Sequence, residues 1–258
     1  RKAIPLGIAA RRRIADRRRG VGCDQLIVLE PPQGAGADVF MRIYNPDGSE
    51  AGACGNATRC ISGRLMRESG AERMTVETIS GLLPARRREG GRITVDMGVA
   101  KTGWREIPVA AECDTLHLPV ALEPLEDPVG VNMGNPHAVF FVDDVDAIAL
   151  ETIGPKLEHA PLFPERANIE IVQRLSPDRL RMRVWERGAG ITMACGSGAC
   201  AALVAAARRG LTDRRAEIVL DGGPLEIERL ENGHVLMTGA WAESFIGEIA
   251  LEDARETV

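Results

Sequence analysis

Two cysteines occupy matching positions in two similar stretches of this chain, and a glycine follows each of them. Methionine, arginine, a β-branched residue and an aromatic residue stand at 41–44, thirteen residues before Cys54. The same pattern stands at 182–185, thirteen residues before Cys195, so the copies are 141 residues apart in a chain of 258. A duplicated unit with one thiol per copy predicts two lobes whose thiols face a single site between them.

Such a pair of thiols could move a proton at one carbon without a cofactor. One thiolate would remove the α-proton from one face of an amino acid while the other thiol returns a proton to the opposite face. Each cysteine directly precedes a predicted helix, where free N–H groups and the positive end of the helix favour anions. We therefore expect lowered thiol pKa values. We also expect a substrate carboxylate to be held by the amides of Gly55, Asn56, Gly196 and Ser197.

Strands and helices are predicted around these cysteines. Strands are expected at 25–30, 39–44, 75–79, 92–96, 181–185, 218–220, 225–227 and 235–237. A short helix is expected around 14–17, and Asn56 is a favourable N-cap for a helix whose apolar residues recur as far as Gly70. An alanine-rich helix is predicted at 199–209, and because it is apolar on nearly all sides we expect sheet to surround it.

Composition excludes several classes of protein. The net charge is −5, so no overall basic field favours a nucleic acid as partner, and the short arginine clusters are typical of solvated faces. No apolar run approaches the ~18 residues of a membrane span. Six cysteines in so long a chain do not resemble the disulfide framework of a small secreted protein, so we expect a reducing cytoplasm.

Several motifs in order along the chain resemble the diaminopimelate epimerase family. They are Gly-Val-Gly-Cys-Asp-Gln at 20–25, Tyr-Asn-Pro-Asp-Gly-Ser-Glu at 44–50, Ala-Cys-Gly-Asn-Ala-Thr-Arg-Cys at 53–60, Met-Gly-Asn-Pro-His at 133–137, Phe-Pro-Glu-Arg-Ala-Asn at 163–168 and Trp-Glu-Arg-Gly-Ala-Gly-Ile-Thr-Met-Ala-Cys-Gly-Ser-Gly-Ala-Cys-Ala at 185–201. The resemblance extends to Met-Thr-Gly at 237–239 and so covers almost the whole chain.

The resemblance implies an α+β fold of two pseudo-symmetric lobes. Each lobe would be a central helix wrapped by mainly antiparallel or mixed sheet, with the active site in the cleft. We expect the first lobe at 1–98, joined by the C-terminal segment 241–258, and the second lobe at 99–240, with the crossover at 99–131. Such an enzyme interconverts LL- and meso-diaminopimelate for lysine and peptidoglycan synthesis, without pyridoxal phosphate or metal. A homodimer is also implied.

The resemblance also assigns roles to individual residues. Cys54 and Cys195 match the catalytic acid–base pair, and His137 and Glu186 match positions that tune the thiols. Arg187 is suited to hold a distal carboxylate with two hydrogen bonds, and Glu186 is suited to an ammonium group. The matching substrate-binding positions are Gln25, Asn45, Gly55, Asn56, Asn135, Asn168, Glu186, Arg187, Gly196 and Ser197. The other four cysteines, Cys23, Cys60, Cys113 and Cys200, are interpreted as small buried residues.

Two alternative functions stay open on the sequence. One is a related cofactor-independent racemase for another amino acid, such as proline or histidine. The other is a redox-responsive binding protein in which Cys54 and Cys195 form a regulatory disulfide.

Two features depart from the family pattern. The family's first strand, with Gly-Leu-Gly-Asn-Asp-Phe, has no match here, so we expect a native strand ahead of Arg1 to be missing and the activity of this form to be impaired. Phe245 stands where some members have a tyrosine near the dimer contact.

Overall fold

The computed structural model describes residues 5–52 and 54–250. Within them the chain forms two compact units, one up to Val95 with the segment from Ala240 onwards, and one consisting of Asp96–Gly239. The lobe limits expected from the sequence, 1–98 with 241–258 and 99–240, stay a prediction. The parts of the predicted first lobe at 1–4 and 251–258 lie outside the described residues, as does the strand expected ahead of Arg1. Among the described helices, none combines the length and the hydrophobicity that crossing a membrane requires.

The first unit is one mixed sheet with a helix against it. Its elements are α1 (Ile8–Ala15), β1 (Leu26–Glu30), β2 (Val39–Tyr44), β3 (Glu50–Ala51), α2 (Gly55–Ser69), β4 (Arg73–Thr78), β5 (Gly81–Arg87) and β6 (Ile93–Val99), and a 3-10 turn at Glu89–Gly91 precedes β6. The strands lie in the order β1-β2-β4-β5-β6, with β3 paired to β2. The β2–β4 pair is parallel, and the other pairs in this unit are antiparallel. Strand β6 continues from the first unit into the second.

The core of the first unit forms where α2 covers the sheet. Leu65 of α2 is buried with Val39, Met41, Ile43 and Val76 of β2 and β4. The helix ends at Gly70, which adopts φ 74° and donates its N–H to the carbonyl of Met66. Glycine suits this left-handed position because it has no Cβ to clash. The packing fixes α2 so that its N-terminus, and therefore Cys54, lies at one end of the helix–sheet layer.

The second unit surrounds its own central helix with sheet. Its elements are β7 (Val129–Asn132), β8 (Pro136–Val142), α3 (Leu150–Glu158), β9 (Asn168–Ser176), β10 (Arg179–Glu186), β11 (Gly190–Ile191), α4 (Gly196–Arg208), β12 (Arg215–Leu220), β13 (Gly223–Arg229) and β14 (His234–Gly239). The strands lie in the order β14-β13-β12-β10-β9-β8-β7. Helix α4 packs against all seven, and the residues from Ala199 to Ala206 have no exposed surface. The predicted enclosure of the alanine-rich helix is confirmed.

A second apolar layer of this unit lies beneath α3. Leu150, Ile153 and Leu157 of the helix pack with Phe140 and Ile171 of β8 and β9. Elements β5, β7, β8, β9 and α3 were not predicted from the sequence. Two of them contain a proline, which disfavours the interior of a strand or a helix: Pro84 lies inside β5 and Pro155 inside α3. The short helix expected around 14–17 instead spans Ile8–Ala15 and ends there.

A glycine allows α3 to approach β10 closely, which gives a test of this packing. A Cβ added at Gly154 would lie 2.5 Å from the indole ring of Trp185. We expect Gly154→Ala to lower the free energy of unfolding by about 1–3 kcal/mol, because the ring cannot move away without disturbing the core. Urea denaturation measures this change. Thr152→Ala, on the exposed face of the same helix, should stay within about 0.5 kcal/mol of the wild type; equal stability of both variants would contradict the packing.

Candidate active site

Cys54 caps the N-terminus of α2. Its backbone is extended, with φ −147° and ψ 108°, and its Sγ accepts a hydrogen bond from the N–H of Ala57 at 3.4 Å. The Cys54 carbonyl accepts a further hydrogen bond from the hydroxyl of Thr58 at 2.9 Å. Cys54 is therefore the N-cap, and the expectation that Asn56 has this role is wrong. The consequence is that the helix begins directly after the thiol, at Gly55, and one N–H group of its first turn, that of Ala57, is bonded to the sulfur.

The guanidinium group of Arg59 interacts electrostatically with the first thiol, Cys54. Arg59, one turn along α2, donates to the carbonyl of Ala240 at 2.8 Å and to the side-chain oxygen of Asn56 at 3.2 Å. Burial lowers the pKa of Arg59, and the thiols of Cys60 and Cys54 act in the opposite direction. An arginine stays charged in proteins, so Arg59 adds a cation to the surroundings of Cys54. Sequence reasoning did not select Arg59, although it belongs to the motif at 53–60.

Two further expected binding residues of the first unit lie together. Gln25, directly before β1, donates from Nε2 to Oδ1 of Asn45, directly after β2, at 3.3 Å. Asn45 also donates from Nδ2 to the hydroxyl of Ser49 at 3.1 Å, within a turn that the Ser49 carbonyl and the Asn45 N–H close. The antiparallel pairing of β1 with β2 brings the two amides to the same end of the sheet.

Cys195 caps α4 as Cys54 caps α2. Its backbone is extended, with φ −119° and ψ 111°, and its Sγ accepts from the N–H of Gly198 at 3.3 Å. The hydroxyl of Ser197 lies 3.5 Å from the sulfur. Unlike Cys54, which is partly exposed, Cys195 is buried. Both expected catalytic cysteines thus have the same local geometry and different solvent exposure.

The expected lowering of the thiol pKa is wrong for Cys195. Burial raises its pKa well above the ordinary value, and the carboxylates of Glu186 and Glu170 raise it further. The contacts with Ser197 and Gly198 lower it by less. Helix-end stabilisation of a thiolate is therefore outweighed here, because a buried sulfur loses hydration and faces two acids.

Glu186 interacts directly with this thiol. Its carboxylate accepts a hydrogen bond from the hydroxyl of Thr192, and its negative charge raises the pKa of Cys195. Burial raises the pKa of Glu186 itself, while Thr192, Cys195 and the ring of His137 lower it. The structure therefore brings together three of the four expected catalytic residues, Cys195, Glu186 and His137, all from the second unit.

His137 lies in the interior between two oxygen-bearing side chains. Its Nδ1 is 2.7 Å from Oε1 of Glu170, and its Nε2 is 2.9 Å from Oδ1 of Asn135. His137 and Glu170 have no exposed side-chain surface. Sequence reasoning missed Glu170, although a signal was present, because a lone acid stands between isoleucines in an otherwise apolar stretch at 169–172.

Asn168 and Arg187 are joined at the end of β10. Asn168 donates from Nδ2 to the carbonyl of Pro136 at 2.8 Å and accepts at Oδ1 from the backbone N–H of Arg187 at 2.9 Å. The Arg187 guanidinium is exposed and donates to the carbonyl of Glu165 at 3.1 Å. Behind this turn, Glu158 accepts from the N–H of Gly188 at 3.0 Å. Arg187 is thus held through its backbone, and its fork of N–H groups faces solvent.

The remaining expected residues lie at the two helix ends. Gly55 and Gly196 are buried first residues of their helices, followed by the partly exposed Asn56 and Ser197. Among the expected site residues, the structure joins Gln25 to Asn45 in the first unit, and His137 to Asn135 and Asn168 to Arg187 in the second. The role of each in binding or catalysis stays a prediction at this point.

Sequence comparison identifies relatives across most of the chain. The family model described as diaminopimelate epimerase matches residues 2–103 and 129–242. The diaminopimelate epimerase of Rhodospirillum centenum is 61% identical over 250 residues, which are 97% of this chain and 86% of that protein. The diaminopimelate epimerase of Acidiphilium cryptum is 59% identical over 250 residues, 96% of this chain and 90% of that protein.

Structure comparison identifies the same fold in more distant proteins. A hydroxyproline epimerase from Agrobacterium vitis superimposes with a TM-score of 0.64 at 17% identity, over 88% of this chain and 75% of that one. A phenazine biosynthesis protein from Bacillus anthracis superimposes with a TM-score of 0.61 at 18% identity, over 92% and 87% of the two chains. The expected α+β class, with two similar helix-and-sheet units, is confirmed.

Proposed function

Since this chain belongs to the diaminopimelate epimerase family, we propose that it interconverts LL- and meso-diaminopimelate by proton transfer between Cys54 and Cys195 through the substrate's α-carbon. The observation that carries the proposal is the repeated geometry of the thiols. Each unit presents one cysteine as the N-cap of its central helix, with sulfur bonded to a backbone N–H of the first turn. Inversion at a carbon requires one acid–base group for each face, and the repeat provides two.

In the proposed reaction one thiolate takes the α-proton and the other thiol donates its own. The S–H bond of the first cysteine forms as the C–H bond breaks, and the electron pair left on carbon is protonated from the opposite face by the second cysteine. The α-carboxylate accepts the developing charge and is stabilised by the N–H groups of Gly55, Asn56, Gly196 and Ser197. Dipoles oriented before the reaction stabilise such charge effectively because they need no reorganisation.

Residues around the second helix end would tune and orient the reacting groups. Cys195 and the ring of His137 both lower the pKa of Glu186, so they act on the carboxylate that lies beside the second thiol. We assign Arg187 and Asn168 to the distal amino-acid group of the substrate, with Asn168 holding the Arg187 backbone. Gln25, Asn45 and Asn135 complete the assignment as polar groups suited to the substrate's carboxylate and ammonium ends. The proposed reaction uses these side chains and the two thiols.

Location and assembly are further parts of the proposal. None of the six cysteines forms a disulfide within the described residues, and the named family acts in the synthesis of lysine and peptidoglycan precursors, which together support a cytoplasmic enzyme. Phe245 and Ile246 expose 72% and 74% of their surface in the segment after Trp241. Contiguous exposed apolar surface marks protein contacts, and we place the contact of the expected homodimer at these two residues.

Exchange of the α-hydrogen in deuterated water tests the proposed function. We expect incorporation of deuterium at the α-carbon of diaminopimelate together with formation of the other stereoisomer, followed by mass spectrometry and chiral chromatography. Proline and histidine serve as matched substrates for the alternative racemases, and we expect no incorporation into them. Exchange into proline or histidine and not into diaminopimelate would contradict the proposal, as would exchange that continues after both thiols are alkylated.

A further inference from the structure

Glu170 is a buried carboxylate that lies against the first turn of α4. Its Oε1 is 2.7 Å from Nδ1 of His137. The same oxygen would be 2.8 Å from a Cβ added at Gly198, and the Cys195 sulfur would be 3.2 Å from that Cβ. Its second oxygen, Oε2, is buried and has no hydrogen-bond partner in the part of the chain that the structure describes. A negative charge at this place counteracts the stabilisation that the positive end of α4 would otherwise give to a Cys195 thiolate.

The internal repeat shows what stands at this place in the other unit. Glu170 on β9 pairs with Val184 on β10, and the residue 141 positions before Val184 is Ile43 on β2. Ile43 pairs with Ile27 on β1, so Ile27 occupies the position of Glu170. By the same spacing, Ala57 on α2 corresponds to Gly198 on α4. One unit thus has an acid facing a glycine, and the other has an isoleucine facing an alanine.

The difference between the two units at these paired positions has a packing explanation. Ile27, Cys54 and Ala57 all pack against the same apolar cluster of the first unit. In the second unit, an alanine methyl group at 198 would lie 2.8 Å from the carboxylate oxygen, so the acid would have to shift from its observed place. The acid therefore has a dedicated space next to one thiol, and the corresponding space beside the other thiol is filled with hydrocarbon.

We propose that Glu170 is a positioning residue whose buried carboxylate, next to the first turn of α4 where glycine stands at 198, acts together with Glu186 to hold Cys195 as the protonated thiol in the substrate-free protein. The inference rests on the proposed function for its consequence, which is that Cys195 starts as the proton donor and Cys54 as the base. In that direction the C–H proton passes to the Cys54 sulfur, and the Cys195 S–H proton passes to the opposite face of the same carbon. Glu170 acts through Cys195 and does not touch the substrate.

The other charged groups around Cys195 are few and mostly paired elsewhere. Strand β8 contributes His137, β9 contributes Glu170, and β10 contributes Glu186. Helix α4 has no acid in its first turn, and β7 contains no charged residue. The turn between β12 and β13 approaches Met193, and its acid, Asp221, is paired with Arg181. Strands β12, β13 and β14 also take part in the ion pairs Arg215–Glu226, Arg179–Glu217 and His234–Asp96.

Residue-specific titration of the thiols tests this proposal. The protein is labelled with carbon-13 at every cysteine Cβ, and the Cys195 and Cys54 signals are assigned by comparison with the two single alanine variants. In the wild type we expect Cys195 to lose its proton at a pH above the ordinary thiol value of about 8.5 and above Cys54. In Glu170→Gln we expect the titration midpoint of Cys195 to fall by about one pH unit. At a pH well below that midpoint, the thiolate fraction of Cys195 would then be roughly tenfold larger than in the wild type.

Two variants separate charge from shape. Glutamine retains the size of Glu170 and an oxygen that can accept from His137, so it removes mainly the charge. Glu170→Asp retains the charge in a shorter side chain, and we expect its Cys195 midpoint to stay near that of the wild type. Glu158→Gln is the matched control, since Glu158 is also a buried acid of this unit, with Trp185, Gly188 and Arg166 as partners. It should leave the Cys195 midpoint unchanged.

The outcomes that overturn the proposal do not depend on the enzyme's reaction. A wild-type Cys195 midpoint at or below about 8.5 would show that Glu170 does not keep the thiol protonated, and this holds even if the glutamine variant fails to fold. An unchanged midpoint in a folded Glu170→Gln variant, or equal shifts in the glutamine and aspartate variants, would assign Glu170 a purely structural role. Because the titration uses no substrate, absence of diaminopimelate exchange would instead refute the proposed function.

Discussion

Replacement of Cys54 or Cys195 by alanine is expected to lower the rate of diaminopimelate epimerisation by about 10³-fold or more, because each thiol serves one face of the α-carbon and general acid–base groups contribute about 10²–10⁴-fold. Each variant should still eliminate halide from a β-halo analogue of the substrate. Elimination needs one base to take the α-proton while the halide leaves with the bonding electrons, so a single thiol suffices. Chiral chromatography measures epimerisation, and halide release measures elimination.

Serine variants separate catalysis from helix capping. Each sulfur accepts a backbone N–H, so alanine also removes a cap, which costs about 0.5–2 kcal/mol of stability. Serine is a strong N-cap, so Cys54→Ser and Cys195→Ser should remain folded and still lose epimerisation. Cys60→Ala and Cys200→Ala, which change cysteines of the same two helices, should retain most activity. Near-normal epimerisation by either alanine variant would refute the two-thiol mechanism.

Arg187→Met is expected to lower kcat/KM for diaminopimelate by about 10²-fold or more, with a raised KM. A lost charged hydrogen bond costs about 1.5–3 kcal/mol, and part of that binding energy orients the reacting carbon. The guanidinium is exposed at the end of β10 and uses one N–H for the Glu165 carbonyl, so the rest of its fork is open to a carboxylate. Steady-state kinetics with varied substrate gives both constants.

Arg179→Met provides the matched control for this prediction. Arg179 lies at the opposite end of β10 and pairs with Glu217 on the surface, and its replacement should leave kcat/KM within about twofold, as for an exposed ion pair. Arg187→Lys keeps the charge without the planar fork, so we expect a value between those of the wild type and the methionine variant. Wild-type kcat/KM in Arg187→Met would show that the distal group of the substrate is bound elsewhere.

The fold was predictable where a local pattern is strong and repeated. Strand β2 was predicted with its observed limits, and the one-sided apolar pattern of α2 and the all-round apolar pattern of α4 indicated how each helix packs. The strand at Gly81–Arg87 was missed because Pro84 and two arginines hide its alternation. Helix α3, with Pro155 inside it, was missed for a similar reason. In both cases tertiary pairing stabilises a segment whose own propensity is weak.

The candidate site was predictable in its residue types and not in its electrostatics. The motifs identified both cysteines, and their position before helices was correct. The expected lowering of the thiol pKa rested on the helix end alone, and it failed for Cys195. Glu170 is distant from Cys195 in sequence and approaches it only through the pairing of β9 with β10 and the absence of a side chain at Gly198.

The sequence by itself determined the duplication, the two thiols at helix starts, the α+β class and the family. These follow from local spacing and from motifs that are read along the chain. Only the tertiary structure decided that one thiol is buried beside two acids while the other is partly exposed near Arg59. The physical reason is that the free energy of a charge depends on solvent exclusion and on neighbouring charges within a few ångströms, and both are set by how strands and helices pack in space.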